Sequence, residues 1–278
     1  MSDTGSAGSN DIASLEGRLF RYRPGLVAFQ HGRHNDCLVL LGGLTDGPLS
    51  LKYSTALAAA LDVQSWSLVL PTLSTSYLGY GVGSLTQDCD ELVDLLSCLP
   101  AEGRIVLMGH STGCQISVHF MKHAPQAARK RVAGVVLQAA VSDRDYLATL
   151  PQTQELVTLA RTLPLTALMP READIAPITA YRYLSLAARG GDDDMFSDDF
   201  SQEELKDRLG HMTVPTLLLA SLADEYVPAG VDVSALVERI AGAMPGCRKC
   251  VRVAGGLHDL SGHIDVVAEE TSAFLQTL

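Results

Sequence analysis

The sequence predicts an α/β fold built on a mostly parallel sheet, and three observations carry that prediction. Apolar runs of strand length recur at 37–43, 66–73, 104–109, 131–141, 214–221 and 250–255, with segments of helical spacing between most of them. The runs CLVLLGG (37–43) and RIVLMG (104–109) are continuously apolar rather than alternating, as strands covered on both faces are. Strand and helix alternate along the chain, which calls for parallel strands joined by crossover helices. With 278 residues and 47% apolar content, the chain can bury a sizeable core.

The elements follow in order. Residues 1–13 are rich in Ser, Gly and Asp without periodicity and are expected to be a disordered tail, leaving 14–278 as the folded domain. GRLFRYR (17–23) and LVAFQHG (26–32) alternate across Pro24-Gly25, which predicts an antiparallel hairpin. The first parallel strand is 37–43, then a helix over 54–62 and a strand over 66–73 that Pro71 stops. An amphipathic helix over 84–99, capped by Ser84 or Thr86, leads to the strand 104–109. A helix over 112–124 and a strand over 131–141 come next. Between about 142 and 212 the rhythm breaks into helical pieces separated by Pro151, Pro164, Pro170 and Pro177, as expected of an insertion over the sheet. It resumes with a strand at 214–221, a helix from Asp232 to Gly242, a strand at 250–255 and a final helix from Gly262 to Leu278.

Composition narrows the function classes. A formal net charge of −11 disfavours nucleic acid and anionic membrane surfaces as partners. No apolar run reaches the length of a spanning helix, and the N-terminus lacks a signal-peptide pattern, so a soluble, cytoplasmic protein is expected. Six cysteines fall mostly in apolar segments, where reduced thiols pack as small hydrophobes. Cys247 and Cys250 form a C-x-x-C that precedes a strand, with no second pair to complete a zinc site; no metal is expected. GDDDMFSDDF (191–200) is expected to be a solvated, loop-ordering charge run.

The chemistry centres on Gly109-His110-Ser111-Thr112-Gly113, a G-x-S-x-G that leaves a strand and enters a helix. In that context the pattern marks a nucleophile elbow, with Ser111 held above the sheet on a sharp turn. A serine hydroxyl needs a base oriented by an acid, and on such a scaffold the chain order is Ser, acid, His. Asp224, in SLADEYVP after a strand, and His258, in GGLHDLSG after the last strand, meet that order. Glu225 is a near neighbour of the acid, Asp143 is the alternative acid, and His263, placed inside the final helix, is the rival base. His110 is expected to pack beside the elbow. Two main-chain donors are needed for the oxyanion: Thr112 supplies one, and Leu44 in the Gly42-to-Gly47 loop is the candidate for the second. That loop lacks the lysine of a P-loop and the glycine spacing of a dinucleotide fingerprint, so no cofactor is expected.

Taken together, GGLTDG (42–47), GHSTGCQ (109–115), VSDR (141–144), TAYRYLSL (179–186), GDDDMFSDDF, SLADEYVP (221–228) and GLHDLSG (256–262) resemble the α/β-hydrolase superfamily. The narrower resemblance is to a mainly fungal branch that includes siderophore esterases. It implies an eight-stranded-type sheet with a helical lid, cofactor-free hydrolysis of an ester, and the roles already given to Ser111, Asp224 and His258. Similar proteins serve polyketide pathways as stand-alone thioesterases or lactone-forming enzymes. That version brings in an acyl-thioester substrate and an acyl carrier protein, for which Arg129-Lys130-Arg131 offers a local basic patch. Two other classes compete: a catalytically inactive binding protein on the same fold, which the intact triad order opposes, and a C–C or cyanohydrin lyase. The lyase needs a further proton handler in the lid, where the only lysine, Lys206, sits in a polar helix.

Overall fold

The computed structural model describes residues 13–278, so the expected tail lies, Ala13 apart, outside the described residues. The chain opens with β1 (Arg18–Arg23) and β2 (Leu26–His31), followed by β3 (Asp36–Leu41), α1 (Ser54–Val63) and β4 (Trp66–Pro71). A 3-10 turn at Tyr77–Val82 leads to α2 (Leu85–Cys98), β5 (Ile105–His110), α3 (Thr112–His123), the short α4 (Gln126–Arg129) and β6 (Val132–Gln138). Four helices come next: α5 (Asp143–Leu147), α6 (Thr153–Ala160), α7 (Ala180–Ala187) and α8 (Gln202–Leu209). The chain closes with β7 (Thr216–Ser221), α9 (Val233–Ala243), β8 (Cys247–Val253) and α10 (Ile264–Leu275).

These strands form one eight-stranded sheet in the order β1-β2-β4-β3-β5-β6-β7-β8. β2 runs antiparallel to both β1 and β4, and every other pairing is parallel. The reason the central runs are continuously apolar is visible in β3, where alternate residues enter different cores. Cys37, Val39 and Leu41 pack with α2, α3 and α9, while Leu38 and Leu40 pack with α1 and α10. Each such side chain contributes about 1.5–3 kcal/mol when fully buried, so a polar residue on either face would be costly. β1 and β8 are the sheet edges, with exposed Arg18 and Arg21 on the first and exposed Arg248, Lys249 and Arg252 on the second.

The segment expected to lie over the sheet divides in two. α6 and α7 build a third apolar cluster of their own around Leu156, Ile178, Tyr183 and Leu186. Met195, Phe196, Phe200, Leu205 and Leu209 instead join the core against α3 and α9. α8 begins with a reciprocal cap, in which Ser201 Oγ accepts from the Glu204 N–H and the Glu204 carboxylate accepts from the Ser201 N–H. Ser84 caps α2 by accepting from the Gln87 N–H.

Three expectations need correction. The acidic run is not solvated throughout: Asp193 and Asp194 are both 1% exposed, because Arg182 on α7 and Arg144 on α5 pair with them. β8 starts at Cys247 rather than Cys250, so both cysteines lie in the strand as free thiols, because backbone pairing with Thr216 extends an edge that apolar content alone does not define. The last helix begins at Ile264, and His263 precedes it with non-helical φ −136° and ψ 38°. Among the described residues no helix is long and apolar enough to cross a membrane.

Candidate active site

β5 ends on His110 and α3 begins at Thr112, so Ser111 alone turns the chain from strand into helix. It does so at φ 52° and ψ −124°, a conformation that costs a non-glycine residue about 1–3 kcal/mol and persists only where the surroundings impose it. They do so here with close backbone packing. A Cβ on Gly109 would stand 2.2 Å from the Gly113 carbonyl oxygen, and one on Gly113 would stand 2.3 Å from that of Leu41. The Ser111 N–H donates to the Gln138 carbonyl at 3.0 Å, and the Ser111 carbonyl accepts from Cys114 N–H at 2.7 Å. Thr112 thus occupies the first turn of α3, where main-chain N–H groups lack intrahelical acceptors.

The loop after β3 closes over this turn. A Cβ on Gly43 would stand 2.7 Å from Ser111 Cβ, and the loop is shaped by the Gly43 N–H donating to Asp46 Oδ2 at 2.8 Å. Leu44, the next residue, lines the same cavity as Ser111.

Asp224 and His258 are brought together by the ends of β7 and β8. His258 Nδ1 lies 2.8 Å from Asp224 Oδ2 and 3.0 Å from Oδ1. A carboxylate only accepts, so Nδ1 carries the proton and Nε2 is left as the basic nitrogen. The acid is fixed in turn by the Tyr226 N–H, which donates to Asp224 Oδ1 at 3.0 Å. Glu225 takes a different part: its Oε2 accepts from the His258 main-chain N–H at 2.8 Å. The pair is largely enclosed, with Asp224 6% and His258 8% exposed, and the Tyr226 ring lies edge-on to His258 at 4.6 Å.

Ser111 and His258 line one cavity of about 740 Å³, walled by Leu44, Tyr146 and Leu147 and by the 171–175 segment. Within the trio of Ser111, Asp224 and His258, the side chains joined by hydrogen bonds are those of His258 and Asp224. His263 and Lys206 are not among the cavity's lining residues. Asp143 does line it, but its carboxylate accepts from Gln115 Nε2 at 3.1 Å and it is no partner of His258. No group of three or more His, Cys, Asp or Glu among the described residues could hold a metal ion. The basic trio is partly engaged elsewhere: the Arg131 guanidinium donates to the Leu96, Leu99 and Pro100 carbonyls, and Arg129 donates to that of Met121.

Two groups at the site have shifted protonation. Burial, reinforced by neighbouring His258, brings His110 down to about 4, so its ring is neutral at physiological pH. Burial also pushes the Asp143 carboxyl up to about 7, with Asp193 adding to the effect. The unfolded Asp ionises above 3.8 and the folded one only above about 7, so folding loses stability as pH rises across that window. Asp143→Asn should therefore match the wild type in thermal melts near pH 4 and exceed it increasingly up to pH 7. The margin grows by at most about 1.4 kcal/mol per pH unit. Identical pH dependence in both proteins would show that Asp143 ionises in place.

Sequence reasoning missed Tyr226 and Gln138 as parts of this site. A glutamine ending an otherwise apolar strand was the available signal for the second.

Comparisons with known proteins agree with this architecture. The model of the family described as "Protein of unknown function (DUF1749)" matches residues 7–273. The fusarinine C esterase sidJ of Aspergillus fumigatus is 30% identical over 81% of this chain and 82% of its own. An esterase of Emericella nidulans is 29% identical over 80% of this chain and 79% of its own. The structure of the siderophore hydrolase EstB from Aspergillus fumigatus superimposes with a TM-score of 0.77 at 26% identity, covering 95% of this chain and 98% of that one.

Proposed function

The chain belongs to the DUF1749 family and has the α/β-hydrolase fold, and from that premise we propose that it is a serine esterase acting on a small-molecule ester of the siderophore type. The names of its relatives support an ester hydrolase. One observation carries the serine mechanism: His258, hydrogen-bonded to Asp224, lines the cavity that also receives the strained Ser111. A volume of about 740 Å³ is in the range of small-molecule sites.

In this reading Ser111 Oγ attacks the ester carbonyl while His258 Nε2 takes its proton, and Asp224 stabilises the imidazolium and keeps Nδ1 protonated. The main-chain N–H groups of Thr112 and Leu44 hold the oxyanion. His258 returns the proton to the departing alcohol; water, deprotonated by the same ring, then attacks the acyl carbonyl, and the ring passes that proton to Ser111 Oγ as the acid leaves. The helical cluster of α6 and α7 acts as the lid.

A fluorophosphonate probe tests the assignment. Wild type is expected to be labelled and Ser111→Ala not, with hydrolysis falling by about 10,000-fold or more. Labelling absent in wild type, or undiminished in the variant, would reject Ser111 as the nucleophile. Recording product masses from a hydroxamate-containing ester, an aryl ester and a soluble thioester tests the substrate class. A preference for the thioester, or a cyclised product, would replace the siderophore reading with acyl transfer from a thioester.

A further inference from the structure

We propose that Gln138, at the carboxyl end of β6, is a positioning residue that holds the catalytic base in register with the nucleophile; this rests on the Ser111–His258 reading above. Gln138 is fully buried at the tip of a strand whose other residues are apolar or glycine. A primary amide there is costly unless each polar atom is matched, and each one is. Its Nε2 donates to the main-chain carbonyl of His258 at 2.8 Å. Its Oε1 accepts from His110 Nδ1 at 2.5 Å and from the Tyr53 hydroxyl at 3.3 Å. Its own carbonyl accepts from the Ser111 N–H at 3.0 Å.

One residue therefore holds the backbone of the nucleophile with its main chain and the backbone of the base with its side chain. The amide has a single workable orientation. Nε2 must face the His258 carbonyl, which only accepts, and Oε1 must face two donors. Neutral His110 and Tyr53 fix that orientation from behind, and the His110 ring packs edge-on against His258 with centroids 4.8 Å apart. The loop from Val253 to His258 contains two consecutive glycines, Gly255 and Gly256, so its path depends on such anchors. Glu225 on the His258 N–H and Gln138 on its carbonyl hold the residue from both sides.

The test compares Gln138→Met, which keeps the shape without the amide, with Gln138→Leu, which also removes both the donor to His258 and the acceptor. Turnover is measured per active site titrated with fluorophosphonate, together with KM and a urea melt. Both variants are expected to lose kcat per titrated site by about 10- to 100-fold with KM changed less than about 3-fold. A residue needed only for folding would reduce the number of titratable sites and leave per-site kcat unchanged; that result overturns the proposal. Should neither variant fold, His110→Phe removes one donor that orients the amide while retaining an aromatic ring. It is then expected to lower per-site kcat by several-fold, and wild-type turnover in that folded variant overturns the proposal equally. Failure of the probe to label the wild type would instead refute the serine mechanism itself.

Discussion

Asp224→Asn is expected to lower kcat by about 10,000-fold while leaving the fold intact. The asparagine Oδ1 can still accept from the Tyr226 N–H, as Asp224 Oδ1 does at 3.0 Å. Its amide nitrogen then faces His258 Nδ1, where a proton acceptor stood at 2.8 Å. Two N–H groups cannot face each other, so the ring is driven to the tautomer with its proton on Nε2, and the nitrogen proposed to take the Ser111 proton is blocked. The measurement is the pre-steady-state rate with an activated aryl ester, alongside the rate of fluorophosphonate labelling. A loss smaller than about 10-fold would mean that Asp224 does not set the tautomer of His258.

The largest stability effect is expected at the acidic loop. Arg182 is 2% exposed and its guanidinium pairs with Asp193, 1% exposed, while its Nε donates to the Tyr80 carbonyl at 3.1 Å. Ser185 Oγ also donates to Asp193 Oδ2 at 2.6 Å. Removing one member leaves the other charge buried without its counterion, so Asp193→Ala should cost about 3–5 kcal/mol in urea denaturation. Exchanging both together, as Arg182→Met with Asp193→Leu, should recover most of that, because no charge is then stranded. If the single variant loses less than about 1 kcal/mol, water reaches Arg182 and the pair is not buried in solution.

What could be read in the sequence and what could not follows from how far apart the interacting residues lie. The central strands were legible because both faces of each are covered, and burial on both faces demands an apolar residue at every position rather than at every second one. The turn at Ser111 was legible because its glycines and strand-to-helix context are local. Asp224 was named on chain order, but its separation from Glu225 was not legible: adjacent carboxylates look alike in sequence, and the structure shows one on the ring and the other on the main chain. The acidic run looked solvated because the arginines that pair with its buried carboxylates lie outside it, Arg182 11 positions from Asp193 and Arg144 50 positions from Asp194. Gln138 and the His258 carbonyl are 120 positions apart, and nothing short-range in the chain announces that bond.

The two open sides of the sheet have a bearing on how copies of this protein meet. Unpaired N–H and C=O groups along β1 and β8 are templates for another chain's backbone. Arg18 and Arg21 stand along one of these margins and Arg248 along the other, where Lys249 and Arg252 are paired with Glu270 and Glu238, so lengthwise stacking of copies would bring the arginines of the two margins together at the seam. A molecule that is strongly anionic as a whole, at −11, thus keeps arginines where fibre growth would begin, and the self-avoidance they give weakens as added salt screens their charges.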